Sequence, residues 1–194
     1  NPRTDTNVTD HITVTASFEI NQYTINFQTD GTTGASLDGA TSQTVSHGDD
    51  CTSVTANPPG GWHFVKWTES GVDYSTENTL TVTNVTESMT LTANFAINTY
   101  TLTYNAGAHG SITGTTSQTV NHGSDGTSVE AVPETGYDFA QWSDGSTENP
   151  RTDTNVTDHI TVTASFEINQ YTINFQTDGT TGASLDGATS QTVS

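Results

Sequence analysis

The first 46 residues of the chain read NPRTDTNVTDHITVTASFEINQYTINFQTDGTTGASLDGATSQTVS (Asn1 to Ser46), and the same letters return without a change from Asn149 to Ser194. The two copies lie 148 residues apart. An exact internal repeat of this length predicts a tandem array. We therefore expect the chain to be a segment of a longer array, organised by the 148-residue period.

One period holds two related repeats of unequal length. The stretch YTINF begins at Tyr23 and at Tyr171, and the related YTLTY begins at Tyr100, so the first spacing is longer than the second. The sequence therefore predicts two complete repeats with a partial repeat at either end. In chain order the four segments are 1–22 (the C-terminal fragment of a B-type repeat), 23–99 (a complete A-type repeat, called repeat A), 100–170 (a complete B-type repeat, called repeat B) and 171–194 (the N-terminal fragment of an A-type repeat).

Repeat A is longer than repeat B at two places. The number of residues between a position in repeat A and its equivalent in repeat B decreases twice along the chain. It decreases once between the first strand and TSQTV, and again between the aromatic motif and the last strand. Both length differences fall in polar stretches rich in Gly, Ser or Thr. We predict these stretches to be loops, because loops tolerate insertions and strands do not. The aligned pairs that show the changing offset are Tyr23 with Tyr100, Thr41 with Thr116, and Met89 with Ile160.

Each repeat is predicted to be a small all-β or β-rich unit of about five short strands. Threonine, which is β-branched and favours strands, makes up roughly a fifth of the chain. Apolar residues alternate in the first strand (Tyr100–Tyr104) and the last (Ile160–Phe166), as in half-buried strands. The last strand recurs at Met89–Phe95 and Ile12–Phe18, the second covers TSQTV, the third runs from Thr127 to Pro133, and the fourth contains the aromatic motif. No stretch predicts a convincing helix.

The links between repeats are short. Only Glu167–Gln170 separates the last strand of repeat B from Tyr171, and no linker rich in Pro or Gly intervenes. An isoleucine recurs in every link (Ile20, Ile97, Ile168), and we expect it to be buried between neighbours, as in arrays stabilised by interfaces. The tandem modules are therefore expected to form an extended rod.

The chain is strongly acidic. Its formal net charge is −19, and Arg3, Lys66 and Arg151 are its only lysine or arginine residues. Nucleic acid and anionic membrane surfaces are disfavoured as partners because both require clustered positive charge. No stretch approaches the ~18–20 apolar residues that cross a bilayer. The charge fits either a solvated surface or one that binds divalent cations.

Two long stretches resemble a known family. They are TSQTVNHGSDGTSVEAVPETGYDF (116–139) and GYDFAQWSDGSTENPRTDTNVTDHITVTASF (136–166), and they resemble the divergent internalin-type B-repeat, or Listeria–Bacteroides repeat, of bacterial surface proteins. The resemblance implies secreted or cell-surface arrays of small, compact β-grasp-like modules of about the length of these repeats, and it supplies no catalytic residues. Repeat A has Trp62 where the family usually has tyrosine, which keeps the position aromatic.

The aromatic motif is the first candidate site. A repeat of this size has little core, and aromatic side chains bury the most area per residue, so we expect core packing. A sugar-stacking platform is the alternative, and it would require the tryptophan rings to be exposed. The residues are Trp62, Phe64 and Trp67 in repeat A and Tyr137, Phe139 and Trp142 in repeat B.

Histidines and acidic loops are the second candidates. The histidines (His11, His47, His63, His109, His122, His159) are spread along the chain, which favours turn hydrogen bonds over a zinc site. The acidic loops 47–50, 122–126 and 143–155 offer oxygen ligands, so calcium remains an alternative to ordinary turn chemistry. None of these loops has the EF-hand or the glycine-rich nonapeptide spacing.

Three further features have a structural interpretation beside a chemical one. Cys51 is the single cysteine and aligns with Gly126, so we expect a surface or half-buried structural thiol, with a crosslink between chains as the alternative. Lys66 aligns with Gln141, which argues against an isopeptide crosslink common to both repeats. The Asn of the recurring NVT triplet is expected to be a turn residue before a strand, although the triplet also fits the N-glycosylation pattern.

These observations predict a structural repeat segment of a long extracellular bacterial surface protein, either an adhesin stalk or a filament building block. No catalytic, cofactor-binding or metal-binding residue is assigned. The expected partners are neighbouring repeats of the same array, with self-association into fibres possible for the filament. A calcium- or glycan-binding extracellular module is the alternative.

Overall fold

The computed structural model describes residues 2–194, which form sixteen β-strands and no helix. The all-β prediction is therefore confirmed, and nothing in the described residues forms a helix long and apolar enough to cross a membrane. The chain divides into two compact units. One contains the residues up to Pro59 together with Phe64–Phe95, and the other contains Gly60–His63 and Ala96–Ser194.

The strands of repeat A form two sheets. A five-stranded sheet has the order β3-β1-β8-β5-β6, and a three-stranded sheet has the order β2-β4-β7. The first strand, β1, pairs antiparallel with β3 and parallel with the last strand, β8. The strands are β1 (Gln22–Thr29), β2 (Ser36–Asp38), β3 (Ser42–Ser46), β4 (Val54–Asn57), β5 (Trp62–Glu69), β6 (Val72–Ser75), β7 (Thr79–Leu80) and β8 (Met89–Ile97).

Repeat B follows the same plan. Its main sheet has the order β11-β9-β14-β13, with the first and last strands, β9 and β14, parallel at the centre, and a second sheet pairs β10 with β12. A mixed sheet of this order is β-grasp-like, as the resemblance implies. The strands are β9 (Thr99–Ala106), β10 (Gly110–Thr113), β11 (Ser117–Asn121), β12 (Glu130–Pro133), β13 (Tyr137–Trp142) and β14 (Ile160–Ile168), followed by β15 (Tyr171–Asn174) and β16 (Ser190–Val193).

The core lies under the central parallel pair. In repeat B, Leu102 and Tyr104 of β9 and Val162 and Ala164 of β14 are buried, and they cluster with Trp142 of β13. These residues occupy alternate positions, so the predicted period-two patterns of the first and last strands are confirmed.

Some predicted loops contain strands. β2 and β10 lie in the Gly-rich stretches expected to be loops. The additional residues that make repeat A longer after the aromatic motif belong to the β5–β6 hairpin, whose turn residues Ser70 and Gly71 have φ of 48° and 83°. The third strand of repeat B begins at Glu130 and not at Thr127, because the Thr127 N–H donates to the Gln118 side chain instead of to a strand.

The identical copies have different structures. The predicted strand Ile12–Phe18 is wrong, because residues 2–21 contain no strand, whereas the same letters form β14. Val14 is 48% exposed and its counterpart Val162 is 3% exposed. Residues 2–21 pair with no other strand in this structure, and a single strand cannot bury its apolar face alone.

Candidate functional site

Two tryptophans of the aromatic motif are structural. Trp67 and Trp142 are both completely buried, so the core prediction is confirmed for them and a sugar platform built on these two rings is wrong. The other four residues of the motif are half-buried: Trp62, Phe64, Tyr137 and Phe139. Trp67 packs edge-on against Phe27 with 5.8 Å between ring centroids, and Trp142 packs in the same way against Tyr104 at 6.0 Å. The Trp142 indole N–H donates to the Glu148 carbonyl at 2.8 Å, which satisfies its only polar atom.

The acidic turn after TSQTV holds the NVT loop in place. In repeat B, Asp125 Oδ1 accepts a hydrogen bond from the Asn155 N–H at 2.8 Å. The Gly123 N–H donates to the Val156 carbonyl, and the Val156 N–H donates to the Ser124 carbonyl. The buried Val156 side chain then anchors the loop to the core.

Repeat A repeats this arrangement. Asp50 Oδ1 accepts from the Asn84 N–H at 2.8 Å, and the Val85 N–H donates to the Asp49 carbonyl. Asn84 and Asn155 have φ of 51° and 49°, a left-handed conformation that asparagine tolerates better than most residues. The predicted turn role of the NVT asparagine is confirmed. Asp50 and Asp125 are engaged with backbone, and no group of three or more His, Cys, Asp or Glu side chains in residues 2–194 could hold a metal ion.

The histidines contact separate partners. His159 Nδ1 accepts from the Thr101 N–H at 2.9 Å and lies edge-on to Tyr100, with ring centroids 5.5 Å apart. His122 also contacts Tyr100, at 5.9 Å between centroids, and His109 stacks on Tyr137 at 4.1 Å with the two rings nearly parallel. These are local contacts, made mostly with aromatic rings and not the turn hydrogen bonds that the sequence favours.

The other two histidines of the complete repeats also have local partners. His47 lies tilted against Tyr23 with 5.9 Å between ring centroids, and His63 Nδ1 lies 2.8 Å from Asn98 Oδ1. His11, in the N-terminal fragment, is exposed.

A buried ionic cluster occupies the core of repeat B. Arg151 is only 6% exposed, and its Nε and Nη2 atoms donate to the Asp153 carboxylate, the shortest of these contacts being 2.6 Å. Arg151 Nη1 lies 2.7 Å from Asp144 Oδ2, and the guanidinium sits over the Trp142 ring at 5.6 Å from its centroid. The Tyr104 hydroxyl donates to Asp153 Oδ2 at 2.7 Å.

The cluster stabilises its own charges. Burial alone would raise the pKa of Asp153, but the hydrogen bonds from Arg151 and Tyr104 lower it below the usual aspartate value. The hydrogen bonds to Asp153 raise the pKa of Arg151, and burial together with the bond to Asp153 raises the pKa of Tyr104. The pair is therefore charged and the tyrosine neutral at physiological pH, as in a structural ion pair.

Sequence reasoning missed this cluster, although a signal was present. At the offsets that align the repeats, three apolar residues of repeat A change together to polar residues in repeat B. The pairs are Phe27 and Tyr104, Leu80 and Arg151, and Val82 and Asp153.

Cys51 is buried. The expectation of a surface or half-buried thiol is wrong, since only 5% of the residue is exposed, and that burial also contradicts a crosslink between chains. Burial raises the pKa of the thiol, and the nearby Asp50 charge adds to the shift. At the equivalent Gly126 a Cβ atom would lie 2.6 Å from Leu102 Cδ1, so in repeat B the leucine side chain leaves no room for a thiol.

The isoleucines of the links are less buried than the sequence predicts. Ile97 is half-buried, but Ile168 is 47% exposed and Ile20 is also exposed, so the expectation is wrong for these two. Ile168 ends β14 opposite Tyr137 at the end of the main sheet, beyond the buried cluster, and Ile20 lies outside any strand.

The order in the links comes from the asparagine backbone instead. The Asn98 N–H donates to the Gly61 carbonyl and the Asn98 carbonyl accepts from the His122 N–H, both at 2.8 Å. The Asn169 N–H makes the corresponding bond to the Gly136 carbonyl, also at 2.8 Å. Backbone hydrogen bonds of this kind require no particular side chain, so they leave no pattern in the sequence. The recurring isoleucines were the only visible signal in the links, and they predicted burial instead.

The two repeats thus define a tandem array of small β-rich modules whose internal polar groups serve the fold. The Divergent InlB B-repeat domain matches residues 23–99 and 100–170, and the chain belongs to this family. The resemblance proposed from the sequence is therefore confirmed. No curated protein matches the chain.

Among solved structures, the chain is similar to "Streptococcal High Identity Repeats in Tandem (SHIRT) domains 3-4 from cell surface protein". The similarity covers 76% of this chain and 98% of that chain, at 16% sequence identity and a TM-score of 0.26.

Proposed function

We propose that this chain is a structural repeat segment of a long extracellular bacterial surface protein, a stalk that holds another part of the molecule away from the cell. The observation that carries the proposal is the direct joining of complete modules. β8 ends at Ile97 and β9 begins at Thr99, so a single residue, Asn98, separates the strands of successive repeats. A spacer needs short ordered links, whereas independently moving modules are usually joined by flexible linkers.

The assignments of the polar groups support a spacer role. The carboxylates of Asp50 and Asp125 bind backbone N–H groups, and Asp153 is paired with Arg151. These groups stabilise the modules, so the role requires neither catalysis nor a cofactor. The partners are neighbouring repeats of the same array.

The charge favours a stalk over a self-assembling filament. A net charge of −19 with three lysine and arginine residues makes copies of the chain repel one another. The family supports a bacterial surface location, because the resemblance implies secreted or surface-attached arrays.

Light scattering of the purified chain after size exclusion tests this proposal. A stalk segment should keep the mass of one chain, 20.5 kDa, as the concentration and the salt are raised. Growth into fibres with rising concentration would contradict the stalk and favour the filament.

A parallel melting experiment tests the binding alternative. We expect the same melting temperature with calcium, with a chelator and with a panel of glycans. A reproducible rise with any of them would show a ligand that binds the folded state, and a structural role alone would no longer describe the chain.

A further inference from the structure

The central strand pair of each repeat joins its first and last strands in parallel. In repeat B, β9 and β14 are aligned over five residue pairs, from Leu102 opposite Ile160 to Ala106 opposite Ala164. In repeat A, β1 and β8 are aligned over five pairs, from Ile25 opposite Met89 to Thr29 opposite Ala93. The chain therefore enters and leaves each repeat through two neighbouring strands.

This arrangement determines how tension along the chain would act. A force on the chain pulls the N-terminal end of the first strand and the C-terminal end of the last strand. Because the two strands are parallel, these points lie at opposite ends of the pair, and the strands are forced to slide past each other. All of the hydrogen bonds between them then carry the load together. In an antiparallel pair the same two points would lie at one end, and the bonds would open one after another.

We propose that the parallel pair of first and last strands is a shear clamp that gives each repeat its resistance to tension along the chain. The inference rests on the proposed stalk function, since a stalk carries the force applied to whatever it holds. The resisting groups are the backbone hydrogen bonds of β1 with β8 and of β9 with β14.

Additional hydrogen bonds extend the clamp at both ends. In repeat B the Thr101 N–H donates to His159 Nδ1 at 2.9 Å, and the Gly107 N–H donates to the Ala164 carbonyl at 2.8 Å. The first bond lies just before the first aligned residue pair, and the second lies just after the last pair. Sliding of the strands must therefore break both bonds together with those between the strands.

Repeat A has its own terminal bonds. The Thr24 N–H donates to Ser88 Oγ at 3.0 Å, and the Asp30 N–H donates to the Ala93 carbonyl at 2.9 Å. The Asp30 carboxylate in addition accepts from the Phe95 N–H at 3.0 Å. Gly107 occupies the equivalent position in repeat B and has no side chain to make this bond.

The clamp is also shielded from water on one face and along both edges. One face of β9 and β14 carries buried side chains, Leu102 and Tyr104 on the first strand and Val162 and Ala164 on the second. Strands β11 and β13 flank the pair on its two sides, so neither edge of the clamp is open. Water cannot readily replace hydrogen bonds in such a place, so the strands must separate largely together.

Changing only the direction of the force tests the inference. Single chains are pulled through cysteine-linked handles in the full chain with Cys51→Ala, which leaves no other thiol. The shear variant has Thr99→Cys and Gln170→Cys, which load β9 and β14 from opposite ends. The peel variant has Thr99→Cys and Thr157→Cys, and extending the β9–β14 register places residue 157 opposite residue 99. All three substituted threonine and glutamine positions are exposed.

We expect repeat B to unfold at a several-fold higher force in the shear variant than in the peel variant. Both variants should melt at the same temperature without force, so the difference reports direction and not stability. Equal unfolding forces in the two directions would overturn the clamp and leave the stalk proposal standing. Fibre formation in light scattering would contradict the stalk proposal. The unfolding forces of the two variants would still decide whether the strand pair acts as a shear clamp.

Discussion

Repeats A and B bury the same tryptophan among chemically different neighbours. In repeat A the surrounding positions carry Phe27, Leu80 and Val82, and all three are buried. Repeat B has a tyrosine, an arginine and an aspartate at these positions. The backbone is paired in the same way at this point, because the Cys51 N–H donates to the Val82 carbonyl as the Gly126 N–H donates to the Asp153 carbonyl, each at 2.8 Å.

The difference shows that one backbone accepts either an apolar or an ionic set, provided that the set is complete. A buried guanidinium loses its hydration, and Arg151 recovers that loss through Asp153, Asp144 and the Trp142 ring together. Each polar residue is therefore stabilising only in the presence of the others. Substitutions that break one set should differ in effect from substitutions that exchange it whole.

Removing the arginine alone should have the largest effect. Arg151→Leu leaves the Asp153 carboxylate, which is only 12% exposed, without its cation, and we expect a loss of about 3–5 kcal/mol in the stability of repeat B. Hydrogen exchange in urea measures this loss in the full chain when it is followed on peptides from β9, because that sequence occurs only once, whereas the sequence of β14 recurs at residues 12–20. Peptides from β8 of repeat A serve as the internal control and should change little.

A small loss on Arg151→Leu would contradict the interdependence of the cluster. The matched change in repeat A is Leu80→Ala, which removes apolar contacts without leaving a charge, and it should cost about 2–5 kcal/mol. Unlike the loss in repeat B, this one should not depend on pH.

Replacing all three polar residues of repeat B together should remove the loss of stability expected for Arg151→Leu alone. The triple variant Tyr104→Phe, Arg151→Leu and Asp153→Val gives repeat B the residues of repeat A. We expect it to be as stable as the wild type or more stable by about 1–4 kcal/mol, because a complete apolar set avoids the desolvation of the ions. The same exchange experiment measures it. A triple variant as unstable as Arg151→Leu alone would show that the repeats require different cores.

Cys51 of repeat A and its equivalent Gly126 of repeat B allow a smaller substitution test. Gly126→Ala places a Cβ atom against Leu102, and we expect overpacking to cost about 1–3 kcal/mol. Adding Leu102→Ile, which copies Ile25 of repeat A, should recover most of this loss. Cys51→Ala, which only shortens a buried side chain, should cost about 1 kcal/mol. If Leu102→Ile gives no recovery in urea unfolding, the leucine is not what excludes a side chain at Gly126.

Lowering the pH should reveal the smallest of the expected differences in stability between the ionic and the apolar core. The pKa of Asp153 is lowered in the folded state, so its contribution is present above the unfolded value of about 3.9 and is lost as the pH falls through the lower folded value. Wild-type repeat B should therefore lose stability below about pH 4 faster than the triple variant. Urea midpoints measured from neutral pH down to strong acid test this, and parallel curves for the two proteins would contradict it.

The sequence predicted those parts of the fold that depend on local pattern. Alternating apolar residues placed Leu102, Tyr104, Val162 and Ala164 in the core, and all four are buried. Strands β2 and β10 of the second sheets were missed, because strands as short as β10 (Gly110–Thr113) have too few residues to show a period of two.

The two identical copies show why local pattern is not enough. Ile25 is 0% exposed, whereas Ile173, with the same neighbours in sequence, is 44% exposed. β1 lies between β3 and β8, but its copy β15 pairs only with β16. Burial is decided by partner strands that are distant in sequence, and the letters around an isoleucine do not specify them.

The ionic cluster could not be predicted from one position alone. In the sequence Arg151 is one of three basic residues in an acidic chain, and only the comparison of equivalent positions associates it with Asp153 and Tyr104. The final geometry, with the guanidinium over Trp142, depends on the tertiary fold.

Electron microscopy of the native cell surface, with gold-labelled antibody against this chain, tests the structural role most directly. The stalk predicts isolated projections, each attached to the cell and labelled along its length. Continuous fibres that extend between cells or away from them, labelled at a regular axial period, would contradict the stalk and show that the repeats assemble with one another.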